Sequence, residues 1–326
     1  MYCKEKEVIL IACSKPLTAF VKTDLQTGKK VLTFVKAQDG RILDEYIKRK
    51  EVMLIPCGQC AECRAQYARN WANRLLLELQ YHDSAYFVTL TYDAAHVPCS
   101  KSKDGVPHLT LDKRDCQLFF KRLRKAFPND KIRYFLAGEY GEQTHRPHYH
   151  AIVFGLHLDD LVLVGRNEYN QPYFESSSLF NVWQKGYITA ASVSWESCCY
   201  VARYCMKKLK GDMRFFYEDV NIVPPFVLMS RKPGLGYQWF LDHPEFTEQS
   251  KINVATPTGR RTFRPPRYFE KKLEEVDPDL AKQRASDREQ FSLLNYENTK
   301  LNTSLDYFQQ IQVESDAKRC DSVRKF

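Results

Sequence analysis

His148 and His150 stand one residue apart at the mouth of an apolar, β-prone run, Arg146-Pro147-His148-Tyr149-His150-Ala151-Ile152-Val153-Phe154-Gly155. Successive side chains of a strand point to opposite faces, so these two imidazoles share one face. Two imidazoles side by side can hold a divalent cation, yet they make only half a site. Centres that activate phosphate oxygens usually add a carboxylate. The preceding β-prone run ends in Gly138-Glu139-Tyr140-Gly141-Glu142. If 131–139 and 147–154 pair as antiparallel neighbours, Glu139 lies beside the histidines at the open end, with Glu142 the second choice. His145 has the opposite parity, ahead of Pro147, and is not expected to ligate. A mixed His and carboxylate set suits Mn²⁺ or Mg²⁺ with open water positions better than a closed structural zinc.

Further along comes Tyr200-Val201-Ala202-Arg203-Tyr204 in a helix-like context. Tyr200 and Tyr204 are one turn apart and share a helix face, with Lys207 on the same face and Lys208 nearby. A phenol with a pKa of about 10 is a weak nucleophile until its phenolate is stabilised. An adjacent lysine does this, and it can also hold a phosphate or the leaving oxygen. A metal on a sheet facing tyrosines on a helix points to covalent phosphodiester chemistry on DNA, giving a 5′-phosphotyrosine and a free 3′-hydroxyl. Two tyrosines permit a second transfer, one holding the first end while the other attacks a new junction. Tyrosines at helical spacing are more commonly core residues. Here Cys199, Ala202 and Met206 can supply the buried face instead.

The elements that must position these groups can be read from periodicity. Residues 1–50 read as short strands with polar turns, such as Val31-Leu32-Thr33-Phe34-Val35. A long helix follows Pro56 to Arg64, with Tyr67, Trp71, Leu75 and Leu79 as its expected buried stripe. Residues 85–93 form a strand rich in aromatic and β-branched types, and a loop follows it. Residues 111–127 form a helix with Cys116, Phe119, Phe120, Leu123 and Phe127 inward and Lys113, Arg114, Lys121, Arg122, Arg124 and Lys125 outward. Strands at 131–137 and 147–154, a short helix around Trp183, a possible edge strand at 186–190 and a helix over 196–209 ended by Gly211 complete the pattern. Beyond about Pro265 the chain turns polar with weak helical periodicity, either a packed helical arm or partly disordered. The order predicts an α+β fold, an antiparallel sheet covered by helices. We expect an N-terminal β-rich extension over 1–50, a catalytic domain over 51–215 and a C-terminal extension with a polar helical tail over 216–326.

The 326 residues carry a formal net charge of +9, which favours a polyanionic partner, and 39 Tyr and Phe rings (19 and 20) on which bases could stack. No segment approaches the roughly 20 apolar residues of a membrane span. The first apolar run is too short for a secretory leader. The expected location is therefore cytosolic, with the 11 cysteines reduced, metal-bound or buried. Cys57, Cys60 and Cys63 can converge on one ion at a helix start. A structural Zn²⁺ needs a fourth ligand, for which Cys13, Cys3 and Cys99 are candidates. An iron–sulfur pattern lacks its last element, and the alternative is reduced cysteines at a helix cap.

Taken together, these residues resemble the HUH endonucleases, and specifically the rolling-circle replication initiators of small single-stranded DNA phages of the microvirus, gokushovirus type. Phe87-Val88-Thr89-Leu90-Thr91-Tyr92 looks like the family's first motif, Pro147-His148-Tyr149-His150 like the second, and Tyr200-Val201-Ala202-Arg203-Tyr204-Cys205-Met206-Lys207-Lys208 like the third. Pro56-Cys57-Gly58-Gln59-Cys60 with Cys63-Arg64, and Ser230-Arg231-Lys232-Pro233-Gly234, also resemble that branch. The resemblance covers roughly 50–240. It implies a ferredoxin-like catalytic domain and nicking of a single-stranded DNA origin in the cytoplasm of a bacterial host. It also implies a covalent 5′ link, rejoining after each round, and a host polymerase as partner. No helicase P-loop occurs, so unwinding calls for a host helicase. Two other readings remain open: a transposase or relaxase of the same chemistry, and a non-catalytic single-strand-binding module. Relaxase tyrosines usually lie near the N-terminus, and only an enzyme forms a covalent adduct.

Overall fold

The computed structural model describes residues 13, 17–23, 30–35, 52–141, 143–167, 170–204, 215–256 and 259–301. The chain divides into two compact units, Met1–Gln66 with Lys271–Phe326, and Tyr67–Glu270. In the first unit β1 (Leu17–Thr23), β2 (Lys30–Val35) and β3 (Val52–Ile55) form an antiparallel sheet in the order β2-β1-β3, with Leu17 opposite Ile55. Helix α1 (Ala61–Leu79) follows, its first turns in this unit and its residues from Tyr67 on in the second.

The second unit is built on one seven-stranded sheet. Along the chain come β4 (Ala85–Tyr92), a small hairpin of β5 (Cys99–Lys101) and β6 (Pro107–Leu109), α2 (Lys113–Ala126), β7 (Arg133–Tyr140) and β8 (Pro147–Phe154). Then follow β9 (Leu161–Arg166), β10 (Pro172–Ser176), α3 (Ser177–Trp183), β11 (Gly186–Ser192), α4 (Trp195–Tyr204), α5 (Phe215–Asp219) and β12 (Phe226–Met229). The spatial order is β12-β7-β8-β4-β11-β10-β9, and every pairing is antiparallel. The four inner strands β4, β7, β8 and β11 with α2 and α3 trace β-α-β-β-α-β, which is the ferredoxin-like α+β arrangement. The remainder of the unit comprises α6 (Tyr237–Asp242), the hairpin of β13 (Ile252–Thr256) and β14 (Gly259–Phe263), and the start of α7 (Arg267–Val276); α8 (Pro278–Leu301) belongs to the first unit.

Strand alternation divides the sheet residues between two cores. On one face Val88, Leu90, Tyr92, Leu136, Tyr149, Ala151 and Val153 pack under Cys116, Phe119, Phe120 and Leu123 of α2 and Leu179, Val182 and Trp183 of α3. On the other face Phe135, Ala137, Ile152 and Phe154 meet Ala72 and Leu75 of α1, Cys198 and Val201 of α4, and Leu235. His148 and His150 share the parity of Ile152 and Phe154, so they belong to the α1/α4 side.

Helix α2 starts where Asp112 caps it, its carboxylate accepting from the backbone N–H of Arg114 at 2.6 Å and Asp115 at 3.4 Å. Of its expected inward residues Cys116, Phe119, Phe120 and Leu123 are buried and Phe127 is half-buried, but Arg122 is not a solvated charge. Its guanidinium donates to the carbonyls of Val182 at 2.8 Å and Trp183 at 3.2 Å, satisfying the end of α3. The expected stripe of α1 also shifts: Leu75 is buried while Tyr67 is 46% exposed. A strict i+4 series rotates about 40° per step away from the 3.6-residue repeat, so its first member leaves the face its third member occupies. The strand at 186–192 is internal and not an edge, because the hairpin of β9 and β10 adds beyond it.

Two buried polar clusters fix the layers. Tyr92 Oη donates to Asp115 at 2.8 Å and lies 2.9 Å from Tyr149 Oη, and Lys185 pairs with Asp115 at 3.1 Å. Glu78 of α1 accepts from Arg133 of β7, from His82 at 3.1 Å and from the backbone N–H of Gly236 at 2.7 Å. Burial alone raises the Glu78 carboxyl pKa, but these donors outweigh it and hold the group below its ordinary value. Gly186 opens β11 at φ +139, where a Cβ would lie 2.3 Å from the backbone N of Asp93. No side chain fits at that position.

Candidate metal and nucleophile site

The antiparallel register sets Glu139 opposite His148 and Ala137 opposite His150. On the other side of β8 it sets Thr89 opposite His150 and Thr91 opposite His148. Glu139 and His150 are buried and His148 is half-buried. Glu139 Oε1 lies 2.9 Å from His148 Nε2 and 3.4 Å from His150 Nε2. One ligand atom from each of the three residues falls within 4.8 Å of the others.

The outer nitrogens explain why the inner ones converge. His148 Nδ1 lies 3.1 Å from the carbonyl of Arg146. A carbonyl only accepts, so Nδ1 carries the proton and Nε2 presents a lone pair toward Glu139. Two lone-pair atoms 2.9 Å apart require a shared cation, either a second proton or a metal ion. His150 Nδ1 lies 3.1 Å from Thr89 Oγ1, a hydroxyl able to accept from it when Nε2 serves as the ligand. Adjacent ligands at right angles on bonds of about 2.1 Å stand about 3 Å apart, and the 2.9 and 3.4 Å separations match that span. The donor set therefore fits a hard divalent cation bound by two imidazoles and one carboxylate.

Helix α4 brings a phenol to this site. Its start is closed by a reciprocal cap, in which the Ser197 N–H donates to Ser194 Oγ at 3.2 Å and the Ser194 N–H to Ser197 Oγ at 2.8 Å. Arg261 of β14 pairs with Glu196 at 3.0 Å and lies 4.3 Å above the Trp195 ring, holding the first turn. Cys198, Val201 and Ala202 are buried against the sheet, whereas Cys199, expected inward, is only half-buried. Tyr200 is 41% exposed, and its ring centroid lies 5.3 Å from that of His150 and 5.9 Å from that of Phe87. Phe87 in turn stacks on His150 at 5.5 Å.

The structure thus gathers Glu139, His148, His150 and Tyr200. Tyr204 is in the same helix, but its side chain lies outside the described residues, as do Glu142, Lys207, Lys208 and the helix expected beyond Tyr204. His145 sits in the turn before β8 at φ 50, ahead of the ligand strand. Cys13, Cys57, Cys60 and Cys63 converge in the other unit; Cys99 lies apart on β5, and Cys3 is outside the described residues. In the sequence Phe87 and Thr89 stand out only as members of the Phe87–Tyr92 motif, and the Arg146 carbonyl carries no signal. The signal for Thr89 and Phe87 is their parity in the Phe87–Tyr92 run, which matches the histidines only once β4 and β8 are paired.

A family model described as replication-associated protein ORF2 matches residues 85–209, a span containing Glu139, both histidines and both tyrosines. The chain is 30% identical over 275 residues to the replication-associated protein ORF2 of Spiroplasma virus 4, a match covering 81% of each. It is 31% identical over 224 residues to the replication-associated protein VP4 of Bdellovibrio phage phiMH2K, covering 66% of each. To the replication-associated protein ORF4 of Chlamydia phage 1 it is 29% identical over 218 residues, covering 63% of this chain and 49% of that one. No solved structure matches the chain.

Proposed function

The chain belongs to the replication-associated protein ORF2 family, and from that premise we propose that it initiates rolling-circle replication by nicking single-stranded DNA at an origin. Glu139, His148 and His150 would hold one Mn²⁺ or Mg²⁺. When bound there, the cation supplies Lewis-acid polarisation of the scissile phosphate and offsets its developing charge. The observation that carries the reading is the Tyr200 ring beside His150, 5.3 Å between centroids, which puts a phenol within a nucleotide's reach of the ligand set.

The chain's own groups divide the work. The Arg146 carbonyl and Thr89 hold the two imidazoles in orientation, and Phe87 backs His150. Tyr200 Oη attacks the phosphorus, forming the 5′-phosphotyrosine ester as the bond from phosphorus to the 3′ oxygen breaks. The phenol's proton leaves, and the departing oxygen gains one to become the 3′-hydroxyl primer. Lys207 and Lys208 stabilise the phenolate and the leaving oxygen. Tyr204 serves the second transfer, in which a new junction is cut and the product is rejoined. The reaction takes place in the cytoplasm of the bacterial host, with the origin strand covalently attached and a host helicase and polymerase extending the primer. Among the described residues no helix is long and apolar enough to cross a membrane.

The test is denaturing electrophoresis of the chain with single-stranded oligonucleotides tiling its replicon. With Mn²⁺ a protein–DNA band that survives denaturant is expected, and with chelator none. His148→Ala combined with His150→Ala abolishes the band. Retention of full cutting by that double variant overturns the ligand assignment. A band shift only under native conditions identifies a binding protein instead.

A further inference from the structure

Four cysteine sulfurs form a second cluster, in the other unit from the histidines. Cys13 precedes β1, Cys57 and Cys60 lie in the turn after β3, and Cys63 is in the first turn of α1. Their sulfurs all lie within 4.8 Å of one another, and those of Cys13 and Cys60 are 3.8 Å apart. A disulfide would place them at about 2.05 Å, and none of the four is disulfide-bonded. Tetrahedral Zn–S bonds of about 2.3 Å put neighbouring sulfurs about 3.8 Å apart, the separation found here.

The backbone is arranged around those sulfurs. The N–H groups of Gln59 and Cys60 point at Cys57 Sγ at 3.4 and 3.3 Å, that of Cys63 at Cys60 Sγ at 3.4 Å, and that of Cys57 at Cys13 Sγ at 3.3 Å. Gly58 at φ 70 makes the turn that aims two of them. Such donors stabilise thiolate charge around a metal. The sheet between Cys13 and Cys57 needs a staple. Among its described side chains Ala19 is buried and Phe20 and Ile55 are half-buried, whereas Leu17, Val31, Leu32 and Phe34 are exposed. Three short strands that bury so little among their described side chains gain stability from a covalent or metal staple. Cys13 and Cys57 flank the end where Leu17 pairs with Ile55, so a metal there closes the loop that contains the whole sheet.

We propose that Cys13, Cys57, Cys60 and Cys63 bind one structural Zn²⁺ that staples the β1–β3 sheet to the start of α1, separately from the ion at Glu139, His148 and His150. All four ligand positions are protein sulfurs, so the site is closed and takes no part in chemistry on DNA. Binding displaces the four thiol protons and involves no change of oxidation state.

Metal analysis of the full chain, purified from zinc-containing medium and passed through mild chelator, gives one zinc per chain. Cobalt substitution gives thiolate-to-metal charge transfer and the visible bands of a tetrahedral ion. Cys57→Ser with Cys60→Ser loses the zinc, while Cys99→Ser and the His148→Ala/His150→Ala variant keep it. If the cysteine variant is insoluble, the wild-type cobalt spectrum and stoichiometry decide. Zinc that follows the histidines instead of the cysteines overturns the proposal. So does iron with sulfide, or a zinc-free folded chain whose 11 cysteines all react with a thiol reagent.

Discussion

Replacing Thr89 by valine isolates what orientation contributes to the metal site. Valine keeps the β-branch and the strand preference and removes only the oxygen 3.1 Å from His150 Nδ1. His150 is buried, and a buried donor that loses its acceptor costs about 1–3 kcal/mol. The ring relieves that cost by turning, which takes Nε2 away from Glu139. If the cost falls on the metal-bound state, it amounts to a roughly 5- to 150-fold weaker grip at about 1.4 kcal/mol per decade. That range overlaps the roughly 10- to 100-fold effect usual for a partner one step behind the ligands. The assay is an Mn²⁺ titration of oligonucleotide cutting, with direct calorimetric titration of Mn²⁺ alongside. The half-saturating Mn²⁺ concentration rises by that factor, the rate at saturation recovers most of the wild-type value, and Thr89→Ser behaves as wild type. An unchanged Mn²⁺ dependence in Thr89→Val refutes the reasoning.

Glu139→Gln removes the carboxylate charge that faces both imidazoles, so its Mn²⁺ affinity falls by more than the roughly 100-fold ceiling of an outer partner; calorimetry showing a smaller loss contradicts its place as a ligand. The Glu78 carboxyl titrates below its unfolded value, so its stabilisation is present above the ordinary carboxylate range and is lost as pH falls through the lowered folded value. Glu78→Gln costs about 3–5 kcal/mol at neutral pH, and its urea-unfolding free energy declines less on acidification below about 4.5 than the wild type's; parallel pH profiles contradict the assignment. Gly186→Ala forces a Cβ to 2.3 Å from a backbone nitrogen and destabilises by at least about 3 kcal/mol. Thermal melting with an unshifted midpoint contradicts that.

Much of the site was legible because it rests on local periodicity. Parity alone puts His148 and His150 on one face, and the short connection from β7 to β8 makes Glu139 their neighbour. The inward residues of α2 followed from the 3.6-residue repeat. What escaped depends on pairings between distant segments. Thr89 meets His150 only through the β4/β8 register, and 186–192 ceases to be an edge only because β9 and β10 pair onward from it. Strand β9 carries Val162, Leu163 and Val164 exposed in succession, without the alternation that marks a half-buried strand. Arg122 looked like a solvated charge because nothing nearby in sequence shows that the end of α3 would present its carbonyls there.

The most direct test of the central claim is to locate the nucleotide on the chain. Wild-type protein is reacted with an origin oligonucleotide and Mn²⁺, digested with nuclease and protease, and the modified peptide is sequenced by mass spectrometry. The account predicts a 5′-phosphonucleotide ester on Tyr200 or Tyr204, and no adduct when both are replaced by phenylalanine. An adduct on any other residue, or one that survives in the double variant, contradicts it.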